Sequence, residues 1–213
     1  MKNKTVLALI VLCGSFIVVS APSWAVDETT FTVKATVPTA TSVSITAYSV
    51  NSTGTPVFTP VVGTLLDFSP LTFNAINQIY LPDHFFAIDL APVGGAASPN
   101  VTATFTQGAN PNNPAHGLGW KSTATFIKVT GPTGTQVETG LATHGPKKLL
   151  KDLTGGENIG SSETAGGFLR IYLGIVTLDP GATFPDPAGS ETFSNADLPG
   201  DYDGTFLVSA TIP

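Results

Sequence analysis

Thr29-Thr30-Phe31-Thr32-Val33-Lys34-Ala35-Thr36-Val37-Pro38 decides the fold. Phe31, Val33, Ala35 and Val37 occupy one face of a period-2 pattern, and Thr30, Thr32, Lys34 and Thr36 occupy the other. Pro38 ends the run because it has no N–H to donate to a strand ladder. The far end of the chain repeats the pattern. From Gly204 to Ile212, the residues Phe206, Val208, Ala210 and Ile212 alternate, and Pro213 follows. Between these ends lie further short strands. Thr41–Tyr48 alternates on Val43, Ile45 and Ala47, and Leu65–Phe68 and Leu71–Phe73 are split by Ser69-Pro70. Val101, Ala103 and Phe105 alternate, and Thr123, Thr125 and Ile127 oppose Ala124, Phe126 and Lys128 within Trp120–Val129. Phe85–Leu90 and Phe168–Val176 are apolar without alternation, the pattern of strands covered on both faces. Turn residues punctuate all of these runs. The expectation is an all-β domain of roughly eight to ten strands, a Greek-key β-sandwich rather than a closed barrel.

One segment reads as helix. Leu149, Leu150 and Leu153 fall together at helical spacing in Pro146–Leu153, opposite Lys147, Lys148 and Lys151, with Gly155 just beyond. The three lysines form either a solvated face or a contact for an acidic partner, including a second copy of the chain.

Composition bounds the function. The chain has 213 residues, 42% of them hydrophobic and 11% charged, with a net charge of −6. Hydrophobicity this high and charge this low exclude a disordered chain, and the acidic balance argues against a nucleic-acid surface. Residues 1–25 read as a secretory signal peptide: Lys2 and Lys4, an apolar run from Val6 to Val19, then Pro22 and Ser23-Trp24-Ala25 before the cleavage point. The apolar run is shorter than the roughly 20 residues a spanning helix needs. Cleavage after Ala25 leaves 188 residues, 26–213, read as a single domain with net charge −8. Cys13 leaves with the leader, so the exported chain has no thiol and no disulfide. No other run predicts a membrane span.

Catalytic and metal motifs are not evident. His84, His116 and His144 show no metal-ligand spacing, and Asp83-His84 has no nucleophile to act on. Asp201-Tyr202-Asp203-Gly204 opens like a calcium loop, but only ten residues follow Asp203, too few for the closing Glu of an EF-hand. A calcium site shared with Asp179 and Asp186 is the remaining metal option; none is predicted, and no cofactor is. Trp120, Tyr80 and His116 are the candidate ligand contacts, with carbohydrate as the ligand class. No enzyme is predicted.

The two terminal strands together resemble bacterial pilin subunits of the chaperone–usher type, in the alternate, Cys-free class of colonisation-factor fimbriae. In that class a short polar start leads into a Thr/Val-rich strand ending near Pro. A Gly-x-Tyr-x-Gly turn feeds a terminal apolar strand, matched here by Gly200-Asp201-Tyr202-Asp203-Gly204-Thr205-Phe206. The resemblance covers about 12 residues at each end. It implies an incomplete immunoglobulin-like sandwich with its N-terminal strand, within 26–38, available for donor-strand exchange. Phe31, Val33, Ala35 and Val37 would form the inserting face. Tyr202, Gly204, Phe206, Val208, Ala210 and Ile212 would form the terminal strand. It also implies export to a fimbrium, pilus or cell surface through the periplasm, a structural or cell-adhesion role, and as partners other copies, homologous subunits and a periplasmic chaperone and usher. The alternative is a monomeric exported β-sandwich module binding carbohydrate or another ligand. In that case the first strand pairs within its own chain.

Overall fold

The computed structural model describes residues 30–36, 43–108, 117–135, 138–141, 147–179, 185–198 and 200–213, with 30–36 and 138–141 described by backbone alone. In chain order the strands are β1 (Thr30–Thr36), β2 (Val43–Asn51), β3 (Phe58–Pro60), β4 (Leu65–Asp67), β5 (Leu71–Asn74), β6 (Ile79–Pro82) and β7 (His84–Pro92). Then come β8 (Asn100–Gln107), a single helical turn α1 (Leu118–Lys121), β9 (Ser122–Val129), β10 (Glu138–Leu141) and β11 (Lys148–Leu149). A 3-10 turn (Leu150–Leu153), β12 (Glu157–Ile159), β13 (Phe168–Ile175) and β14 (Gly204–Thr211) complete the described elements. The protein is all-β, and its ladders are antiparallel except for β1 on β14.

Two sheets face each other across one apolar core. The first has the order β12-β8-β14-β1-β4, the second β10-β9-β13-β7-β2-β3, with β11 also on β9. A separate hairpin pairs β5 with β6. Phe105, Phe206 and Val208 of the first sheet meet Phe86, Ile88, Leu90, Phe126 and Ile171 of the second in that core. Each is buried, and burial of this kind stabilises by roughly 1.5–3 kcal/mol per large side chain.

The sheets differ in their outer faces. In β8 and β14 burial alternates residue by residue, so the Thr and Ser positions between the core residues look outward. β7, β9 and β13 are buried through most of their length on both faces. β13 runs between β9 and β7, and on its second face Tyr172 packs with Ala87 of β7, Tyr48 of β2 and Phe58 of β3 in a second apolar cluster. This is why its sequence does not alternate.

The helix expected over 146–153 is not formed. Lys148 and Leu149 join the edge of β9, opposite Ala124 and Thr123, and Leu150–Leu153 turns as 3-10. Leu149 and Leu150 are adjacent, and both are fully buried along with Leu153. A strand-to-3-10 corner buries adjacent residues, whereas a lone two-turn helix lacks the length to persist. Strands β3, β6, β10 and β12 lie in stretches read from sequence as turn or left unassigned. Residues 1–25, Val37 and His116 lie outside the described residues. No helix among the described residues is long and apolar enough to cross a membrane.

Gly204 at the start of β14 is fixed by a close approach. A Cβ there would stand 2.4 Å from the ring of Phe105, which is buried in the core. Gly155, by contrast, has open space around it. Gly204→Ala is expected to cost about 1–3 kcal/mol in urea unfolding, and Gly155→Ala less than about 0.5 kcal/mol. Equal midpoints would contradict this packing.

Candidate functional site

The first strand lies inside a sheet, not at its edge. β1 runs parallel to β14 with Val33 beside Phe206 and Ala35 beside Val208. On its other side it runs antiparallel to β4, with Phe31 opposite Leu66. Phe206, Val208 and Leu66 are all core residues, so the alternate positions Phe31, Val33 and Ala35 fall in register with buried side chains of both neighbours. Among the described residues β4 has no ladder except with β1. Without β1, β14 and β4 would face each other as two open edges, each with unpaired N–H and C=O groups. Beside β4 the core is also incompletely closed. Ile45, Ala47, Val61, Leu66 and Ile88 line a slot of about 150 Å³ between β4 and β2.

The terminal strand residues sit around this position. Phe206, Val208 and Ala210 are buried, and Ile212 packs half-buried against the same core. Tyr202 is buried edge-on to Phe193, and its hydroxyl donates to the Leu198 carbonyl at 3.0 Å. That bond fixes the approach to β14.

The candidate ligand contacts do not converge on a described pocket. The Lys151 ammonium lies 4.3 Å from the centre of the Trp120 ring and covers one face of it. Tyr80 packs on Phe73 in the β5–β6 hairpin. Asp83 and His84 do meet, through His84 Nδ1 and a carboxylate oxygen. The other ring nitrogen, Nε2, lies 2.8 Å from the Asp67 carbonyl, and Phe68 and Phe86 flank the ring. With both nitrogens engaged, His84 ties β7 to the end of β4.

The three lysines do not form an open cationic face. Lys147 pairs with Asp186 at 2.8 Å, Lys148 with Glu157 at 2.6 Å and Lys151 with Asp152 at 2.7 Å. Asp186 also accepts the N–H groups of Thr177 and Leu178. Among the described residues, no three His, Cys, Asp or Glu side chains gather where they could hold a metal ion.

Three buried charged side chains escape the sequence reading. Lys121 is buried and its ammonium binds Asp197 at 2.7 Å and the Thr192 carbonyl at 2.9 Å, clamping the 192–197 segment. More telling is Arg170, the chain's one arginine, with Asp89. They sit directly opposite each other on β13 and β7, on the face turned away from the core, and both are 0% exposed. Arg170 Nε and Nη2 donate to the two carboxylate oxygens at 2.6 and 2.9 Å. Nη1 donates to the Thr135 carbonyl, and the Gly134 N–H donates to Asp89 Oδ2 at 2.9 Å. Phe58 lies 4.6 Å below the guanidinium. Burial alone would favour the neutral form of Arg170, but the bonds to Asp89 and Tyr172 outweigh it and raise its pKa above the ordinary arginine value. Gly134 is required here. Its φ is +68°, and a Cβ would press into the Tyr48 ring at 2.9 Å. The pair thus pins the loop after β9 across the outer face of the sheet. The signal in the sequence is a single opposite charge in the middle of each of two apolar runs, Phe85–Leu90 and Phe168–Val176.

Comparison of the chain with protein-family models, with curated proteins and with solved structures finds no match.

Removing one member of a buried pair leaves the other charge uncompensated, whereas replacing both by apolar residues does not. Arg170→Met is expected to cost about 3–5 kcal/mol in denaturant unfolding. The double variant Asp89→Leu/Arg170→Met should recover most of that loss. A single variant as stable as the double would contradict the coupling.

Proposed function

We propose that this chain is a secreted structural subunit of a surface filament or fimbria, assembled by insertion of one copy's N-terminal strand into the sheet of the next. The observation that carries the reading is the place of β1. It is the first described element in the chain, yet it fills an interior position between β14 and β4. With residues 1–25 removed on export, only the link 37–42 ties it to β2. A strand tethered on one side can leave its groove without threading the chain through itself. A copy from a neighbouring subunit then satisfies the same edges, and its alternate residues enter the same register positions. In its own chain β1 pairs with β14 in parallel, which is the slightly weaker ladder per residue.

In this reading the architecture is an immunoglobulin-like Greek-key sandwich. The Tyr202 hydroxyl bond back to the Leu198 carbonyl is of the tyrosine-corner kind found in such domains. The partners are other copies or homologous subunits, with a periplasmic chaperone and usher in transit, and the destination is the cell surface. No catalytic role is proposed. A second reading, a monomeric exported binding module, is favoured by the pairing of β1 within its own chain.

Two variants and a deletion separate the readings. Val33 is in register with buried Phe206, while Thr32 is in register with half-buried Thr205. Val33→Asp should abolish polymers, because it places a charge at a core position, and Thr32→Asp should leave most of them. Deleting residues 27–37 should abolish polymers yet yield a β-rich fold when a peptide of that sequence is added. A deleted chain that stays unfolded with the peptide, or equal effects of the two Asp variants, would favour the self-contained module.

A further inference from the structure

We propose that an open cleft at one end of the two sheets is a binding site for a neutral saccharide. The cleft encloses about 710 Å³, within the range of small-ligand sites. Three separate connections build it: the one after β7, the one after β9 and the one between β12 and β13. None of its lining belongs to β1, β4 or β14, so the proposal stands whether or not the chain polymerises.

The lining selects the ligand class. It carries no charged side chain, in a chain with 15 acids and nine cations. At its margin the Lys128 ammonium is already committed to the Ala165 carbonyl. The polar groups are four short hydroxyls, on Ser98, Thr133, Ser161 and Ser162. Each both donates and accepts, as sugar hydroxyls do, and short side chains lose little rotamer entropy on binding. Among the described residues the hydroxyls of Thr133, Ser161 and Ser162 have no hydrogen-bond partner, and Ser98 Oγ donates to the Thr164 carbonyl and still accepts. Between the hydroxyls lie alanines and glycines, a smooth apolar floor suited to the C–H face of a pyranose ring.

The walls are held in place before any ligand arrives. The Ser98 bond to Thr164, 3.1 Å long, joins the first loop to the third. The third loop is closed by the Gly160 N–H on Glu163 at 2.8 Å and anchored by the Ser161 N–H on Asn100 at 2.8 Å. The second loop is pinned through Gly134 and Thr135 by the buried Asp89–Arg170 pair. The Asp89 and Arg170 charges are thus spent on holding a wall of the site and do not line it. A preformed cleft avoids the ordering cost that weakens binding by mobile loops.

The test uses the full exported chain. Glucose, galactose, N-acetylglucosamine and their β-linked dimers are titrated to about 10 mM, enough to fill most of a site with a Kd of about 1 mM, and amide chemical shifts are followed by NMR. At least one sugar should shift amides in 93–99, 131–135 and 160–168 together. Ala97 and Ala165, on different walls, are both exposed and line the cleft. Ala97→Trp and Ala165→Trp should each weaken binding at least about tenfold while keeping the parent melting temperature. Val62→Trp, at an exposed site outside the lining, should not change it. Three results would each overturn the proposal: no shifts with any of these sugars, shifts centred on Trp120 instead, or undiminished binding by both cleft-filling variants.

Discussion

The open backbone edge of β14 is the constraint on which the first sheet depends. On one side β14 is paired with β8 along its whole length. Among the described residues its N–H and C=O groups on the other side are met by β1 alone, and β4 reaches the sheet only through β1. A seven-residue strand therefore sets the width of the sheet and the closure of the core beneath it. The alternation of Phe31, Val33 and Ala35 matters because it matches the alternation of Phe206, Val208 and Ala210. A slip of one residue would place Lys34 and a neighbouring Thr, in place of Val33 and Ala35, in register with buried Phe206 and Val208. Register is thus fixed by the core, whichever copy of the strand supplies it.

The second sheet solves a different problem. Its strands are apolar on both faces, so the outer face needs a cover. The loop after β9 lies over Tyr48 there, and the Asp89–Arg170 pair holds that loop down from beneath. A buried ion pair is a weak source of stability, since desolvation offsets most of the attraction. Its directional bonds are another matter. Two hydrogen bonds join the side chains to each other, and two more, to the Thr135 carbonyl and from the Gly134 N–H, fix one loop conformation above the sheet. That loop forms one wall of the uncharged cleft. The pair accordingly links the packing of the sheet to the shape of a surface site.

The sequence makes β8 and β14 legible because one face of each is buried and the other is wet. In Val101-Thr102-Ala103-Thr104-Phe105 and in the run from Phe206 to Ala210, period 2 follows directly from that asymmetry. The strands of three or four residues, such as Phe58–Pro60 and Glu157–Ile159, are too short for a period to register, and both pair on the edge of a longer neighbour. The segment at Lys147–Leu153 misled because leucine spacing suits a helix, while the neighbouring edge of β9 offered a ladder. The lysines there are matched by Asp186 and Glu157, and Asp186 lies 39 positions from Lys147, a proximity no local pattern encodes. Trp120 reads as a candidate ligand contact, yet Lys151 from a different element covers one face of it. Asp89 and Arg170 leave only a faint signal, one charge inside each of two apolar runs, which is costly unless a partner sits opposite.

The central claim is that β1 completes its own sheet yet can leave it for a neighbour's. Cys13 is the chain's one cysteine and falls in the proposed leader, so in residues 26–213 an introduced pair reports on that movement without interference. Lys34 and Leu207 are partners in register on adjacent strands, which run about 4.8 Å apart, within reach of a disulfide. The measurement is the mass distribution of Lys34→Cys/Leu207→Cys by light scattering, oxidised and then reduced. The account predicts a single species near the subunit mass while the strand is locked, and a ladder of oligomers once the bond is reduced. Equal polymerisation in the locked state, or a reduced chain that stays monomeric at every concentration, would contradict it.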